Sequence, residues 1–110
     1  MKSQGNKPLN AKEMVSQSRA AADFLKALSH EGRLMILCYL SSGEKSVGEL
    51  EELLSSRQAA VSQQLSRLRA EGLVGSRREG KIVYYSLADH KARKMIDTVY
   101  NLFCSFNPEQ

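Results

Sequence analysis

Cysteine is scarce in this chain. There are two in 110 residues, Cys38 and Cys104, which is too few for a disulfide framework. They stand 66 positions apart, which matches no metal-ligand motif. Long apolar runs are absent as well. None approaches the roughly 18 residues that a membrane-spanning helix needs, and the N-terminal MKSQGNKPLN has no apolar signal core. There is no internal repeat and no low-complexity tract. No nucleophile–base pair, phosphate loop or metal cluster is visible, so an enzyme is not expected, and neither a cofactor nor a metal is called for.

What remains reads as one small domain, expected to be cytoplasmic. Residues 1–8 are expected to form a disordered leader, 9–106 a DNA-binding and dimerisation domain, and 107–110 a short tail. A hydrophobic content of 42% and a charged content of 25% are ordinary for a soluble globular chain. The net charge of +4 is unevenly spread. Residues 57–94 hold nine Lys and Arg against three acids, Glu71, Glu79 and Asp89, whereas residues 1–56 balance to zero. A basic stretch of this kind is an electrostatic footprint for phosphate.

Periodicity and caps divide the chain into elements. Asn10 with Glu13 forms a capping box, and Met14, Val15, Ala22, Leu25 and Leu28 follow at helical spacing. Ser29 breaks that run and is expected to cap a second helix carrying Leu34, Met35, Leu37, Cys38 and Leu40. A second capping box, Ser46 with Glu49, opens a short third helix through Leu54. After a break at Ser55-Ser56, a fourth helix runs from about Arg57 to Glu71 and breaks at Gly72, with Val61, Leu65 and Leu68 on its inner side. Two β-branched and aromatic runs, Val74 to Arg78 and Ile82 to Leu87, flank a turn at Gly80. Asp89 caps a last helix whose stripe of Met95, Ile96, Val99, Leu102, Phe103 and Phe106 has nothing after it to cover it. A stripe of that size implies burial against a second subunit.

The order of helix, helix, helix, helix, hairpin, helix predicts a mainly α winged helix-turn-helix, homodimeric. In such a unit the start of the second helix of the pair reads base edges in a major groove. That position offers Gln58, Ala59, Ser62 and Gln63. Gln pairs with adenine through two hydrogen bonds, Ser donates or accepts, and Ala touches a thymine methyl. Arg57, Arg67 and Arg69 are suited to phosphates. Arg77, Arg78 and Lys81 cluster at the hairpin, where they are expected to meet the backbone or a minor groove. The partner these residues imply is double-stranded DNA.

With those pieces in place, the chain resembles the ArsR/SmtB family of bacterial repressors. The resemblance rests on LSHEGRLMILCYL, SVGELEELL, QAAVSQQLSRLRAEGLV and RREGKIVYYSL, in that order, and spans about residues 14 to 106. It implies a homodimer formed by the first and last helices, an inverted-repeat operator, and release of DNA when an inducer binds. Two positions depart from the pattern. Arg57 stands where the family usually has Ser, and Gln63-Gln64 where it often has a His pair. The metal sites common in the family are unsupported. SVGELEELL carries no Cys-x-Cys, and the last helix offers only Asp89, His90 and Asp97.

The placement of Cys38 in the second helix and Cys104 near the end of the last resembles the sulfide- and persulfide-responsive branch of the family, the SqrR/BigR-like branch with HlyU nearby. Taken alone, both cysteines read as buried space-fillers rather than as a reactive pair. The resemblance implies a redox-sensing dithiol that responds to reactive sulfur. The same fold also accommodates a peroxide-responsive regulator or an HlyU-like anti-repressor, with metal sensing a more remote alternative.

Overall fold

A computed structural model describes residues 8–55 and 58–104, with the backbone but not the side chains at Gln58 and Ala59. The expected leader and tail therefore fall almost wholly outside the described residues, as do Arg57 and Phe106. The chain divides into two compact units, residues 1–30 and 31–110.

The first unit contains one helix, α1 (Ala11–Leu28). Its expected capping box is formed in both directions. The Asn10 side chain accepts from the Glu13 N–H at 2.7 Å, and the Glu13 carboxylate accepts from the Asn10 N–H at 3.0 Å. Ser29 acts differently from expectation. Its hydroxyl donates to the Lys26 carbonyl at 2.8 Å, and its N–H turns to the same carbonyl. It closes α1 rather than opening the next helix, because the carbonyls left bare at a helix end are the nearer unmet need.

The second unit holds α2 (Glu31–Ser41), β1 (Lys45–Ser46), α3 (Val47–Leu54), α4 (Gln58–Ala70), β2 (Val74–Glu79), β3 (Ile82–Leu87), α5 (His90–Val99) and a π-helical turn, Tyr100–Cys104. Its core is apolar and built from every helix of the unit: Ile36, Leu37 and Leu40 of α2, Leu50 of α3, Val61, Leu65 and Leu68 of α4, and Ala92 and Ile96 of α5. The expected inner side of α4 is buried as its spacing requires.

The helix-turn-helix is fixed at both ends by local chemistry. Ser46 and Glu49 make a complete capping box at the start of α3. Ser55 ends α3 in the left-handed region at φ 50, ψ 45, and its N–H caps the Glu51 and Glu52 carbonyls. At the far end of α4, Gly72 sits at φ 79. Its N–H bonds the Arg69 carbonyl at 3.0 Å and the Leu73 N–H bonds that of Leu68 at 2.9 Å. This pair of bonds is a Schellman stop, and the burial of both Leu68 and Leu73 completes it. The wing thus leaves α4 at a set angle.

The sheet has one strand more than the sequence signals, in the order β1-β3-β2, all antiparallel. Its central strand β3 pairs Tyr84 with Ser46 on one side and with Arg77 on the other. Gly80 takes φ 66 at the first of the two hairpin-turn positions, which a type II′ turn reserves for glycine. Among the described residues, no helix is long and apolar enough to cross a membrane.

Candidate functional site

The α4 surface and the wing form one candidate site. Ser62 is half-buried and Gln63 exposed on α4, with Arg67 and Arg69 exposed further along. Gln64 turns inward, its amide oxygen buried with no partner among the described residues. Of the Gln63-Gln64 pair, only Gln63 is therefore open to a groove. At the wing tip, Arg78 and Lys81 are exposed. Neither makes an ion pair with a described residue.

Arg77 is placed differently from the other two wing cations. Strand alternation puts it on the face that also carries Tyr84 and Glu79. Its guanidinium grips both Glu44 oxygens, each at 2.7 Å, and reaches Glu79 at 3.0 Å. It also lies 4.8 Å from the centre of the Tyr84 ring. The Arg77 hydrogen bond holds the Glu44 carboxyl below its usual range, and the two carboxylates raise Arg77 in turn. Glu44 gave no signal in the sequence, because it lies 33 positions from Arg77.

The second candidate site joins α2 to the last helix. The Ser41 hydroxyl donates to Asp97 at 2.7 Å, and one turn back along α2 the Cys38 thiol shares a groove with that of Cys104. The two pairs, Ser41 with Asp97 and Cys38 with Cys104, fall in the order of two segments that run antiparallel. Burial is the main cause that raises Cys38 above the ordinary thiol value of 9.0, and the neighbouring Cys104 adds to it by charge and by hydrogen bonding. Cys38 is half-buried and Cys104 exposed, both as free thiols. They line a groove of about 920 Å³ with Leu34, Met35, Val99 and Phe103. Cys104 ends the π-helical turn, a wider winding that is frequent at functional sites and that a search for 3.6-residue periodicity does not reveal. Asp89 and Asp97 have structural partners already: Asp89 caps α5 and Asp97 holds Ser41.

Residues 30–76, the α2 to β2 stretch that contains the helix-turn-helix, match the model of the arsR family of bacterial regulatory proteins. The chain is also 46% identical over 106 residues to the biofilm growth-associated repressor of Agrobacterium fabrum, covering 96% of this chain and 87% of that one. The chain belongs to the arsR family. A second relative, the transcriptional activator HlyU of Vibrio cholerae, is 43% identical over 100 residues, covering 91% of this chain and 93% of its own. The solved structure of reduced HlyU from Vibrio cholerae N16961 superposes with a TM-score of 0.82 at 42% identity, over 86% of this chain and 99% of the other. As an arsR-family chain this is a transcriptional regulator, and its winged-helix fold is that of its relatives.

Proposed function

We propose that this arsR-family chain is a homodimeric, non-enzymatic regulator that binds an inverted-repeat duplex and loses affinity for it when Cys38 and Cys104 become joined through sulfur. The observation that carries the reading is that the only two thiols in the chain, 66 positions apart in sequence and on two different helices, line one groove. A reduced form is a described state of the Vibrio cholerae relative, in keeping with thiol chemistry. Relatives include both a repressor and an activator, so the fold serves either direction of control.

On DNA, two copies of α4 about one turn apart, roughly 34 Å, enter successive major grooves. The roles assigned are base recognition to Gln58, Ala59, Ser62 and Gln63, and phosphate contact to Arg57, Arg67, Arg69, Arg78 and Lys81. The first and last helices of each subunit form the interface. Leu102 at 72% exposure and Phe103 at 81% supply an uncovered apolar surface for it.

The exposed Cys104 reacts first. Its thiolate attacks the outer sulfur of a persulfide RSSH, which yields a Cys104 persulfide and releases RS⁻. The Cys38 thiolate then attacks the Cys104 sulfur and expels HS⁻, leaving a disulfide. If Cys38 has itself been persulfidated, the same attack through its terminal sulfur leaves a trisulfide and HS⁻. Further sulfur transfer lengthens the bridge. Either link pulls α2 against the last helix, and the signal reaches DNA only through a difference in affinity between the two states. A coupling of about 1–3 kcal/mol corresponds to roughly 5- to 150-fold.

The test pairs mass spectrometry with DNA anisotropy on the reduced protein. A bridge between Cys38 and Cys104 that forms on persulfide treatment, as a disulfide or with whole sulfur atoms gained, together with DNA release, supports the persulfide reading. A bridge formed only with peroxide, by loss of two hydrogens and no sulfur gain, replaces it with peroxide sensing. Unreacted thiols with DNA release on adding zinc defeat both.

A further inference from the structure

The expectation that all three wing cations serve phosphate does not fit the surroundings of Arg77. An isolated surface ion pair contributes little, but a two-pronged guanidinium–carboxylate pair within a network is the exception. Arg77 has such a pair with Glu44, a further hydrogen bond to Glu79 and the Tyr84 ring beneath it. The cluster of one cation and two carboxylates sums to −1, which repels a phosphate. Were Arg77 to leave for DNA, it would abandon three hydrogen bonds and bare two acids beside the phosphate backbone.

The same contacts have an evident mechanical effect. Glu44 immediately precedes β1, and β1, β3 and β2 lie side by side. Alternation puts Glu44 on the face of Tyr84 and Arg77, so the grip of Arg77 spans the full width of the sheet. It ties the outer strand of the wing to the segment that leads into α3. Arg78, the next residue, points to the opposite face, and Lys81 lies in the turn; both stay unpaired among the described residues.

We propose that Arg77 is a positioning residue for DNA binding and not a phosphate contact: clamped by Glu44, it holds the wing so that Arg78 and Lys81 reach the backbone. This rests on the duplex-binding reading given above. Glu44, an acid beside a DNA-reading surface, becomes a residue that promotes binding.

The sign of one substitution separates the two assignments. Glu44→Gln removes a negative charge near DNA, so charge alone predicts tighter binding. The clamp predicts weaker binding, by about 5- to 10-fold, a coupling of the usual size between contacting residues. The assay is anisotropy of the full-length protein against a labelled duplex of roughly 30 base pairs, about three turns, enriched by the wild type from a random-sequence pool and titrated across salt. Arg78→Gln and Lys81→Gln should each flatten the log K against log salt slope by about 1.8, since each removes one phosphate contact per subunit. Arg77→Gln should weaken binding with the slope unchanged, and Glu44→Gln/Arg77→Gln should be no weaker than the weaker single variant. Arg77→Lys keeps the charge but loses the fork. It should behave like Arg77→Gln, and it covers the case in which that variant fails to fold. Tighter binding by Glu44→Gln, a flattened slope for Arg77→Gln, or wild-type binding by Arg77→Lys would overturn the assignment while leaving duplex binding intact. A wild type that enriches no duplex would overturn the duplex reading itself, and the assignment with it.

Discussion

Cys38 and Cys104 differ in ways that order their chemistry. The thiolate is the nucleophile, and burial together with Cys104 holds Cys38 in the protonated form at neutral pH. A raised thiol gains its reactive form only as pH climbs through and beyond 9.0. Ring closure by Cys38 should therefore quicken with pH up to and past that value, whereas the first capture at the exposed Cys104 does not wait on Cys38. Stopped-flow mass analysis of Cys38→Ser should show a persulfide that accumulates on Cys104 and does not close, with DNA binding retained before treatment. A closure rate that is flat between neutral pH and pH 10 would remove Cys38 as the resolving thiol. Both cysteines are plain in the sequence, but their shared groove is not. Spacing alone favours space-fillers, and only the family resemblance implies that they act together.

At the scale of elements, the parts that were legible are those whose cause is local. The capping boxes at Asn10 and Ser46 each involve residues three apart, and the glycine stop at Gly72 follows directly on the helix it ends. What escaped was set by distant partners. β1 has only two residues, Lys45 and Ser46, too few to show alternation, and it exists because β3 offers an open edge. The Glu44–Arg77 clamp depends on that strand and was hidden for the same reason. Gly72 supports a sharp prediction. Its φ of 79 favours glycine, and a Cβ there would meet nothing within 4 Å, so the cost of Gly72→Ala is that of the backbone alone. A left-handed alanine costs about 1–2 kcal/mol, partly offset by the entropy glycine gives up on folding. A net loss near 1 kcal/mol should lower the melting temperature by about 4 °C in calorimetry. Unchanged or raised stability would mean that the Schellman stop does not set the end of α4.

At the scale of the molecule, the apolar stripe on the last helix becomes a question of assembly. Leu102 and Phe103 lie open, beyond the end of α5, where a lone subunit gains nothing from exposing them. Phe103 also borders the thiol groove, so Leu102 is the cleaner probe. Burying a leucine is worth about 1.5–3 kcal/mol, and an interface between like subunits counts each substitution twice. Leu102→Glu forfeits that burial on both sides and adds the desolvation of two carboxylates. The dimer dissociation constant should rise at least about 100-fold, and sedimentation velocity at micromolar concentration should turn from dimer to monomer. DNA affinity should fall with it, because the spacing of the two α4 helices is a property of the pair. The thiol pair lies within one subunit, so the same variant should still bridge Cys38 to Cys104 when treated with a persulfide. If Leu102→Glu remains dimeric, the last helix is not the interface. If it turns monomeric and also loses the bridge, the geometry that joins the thiols belongs to the dimer and not to the subunit.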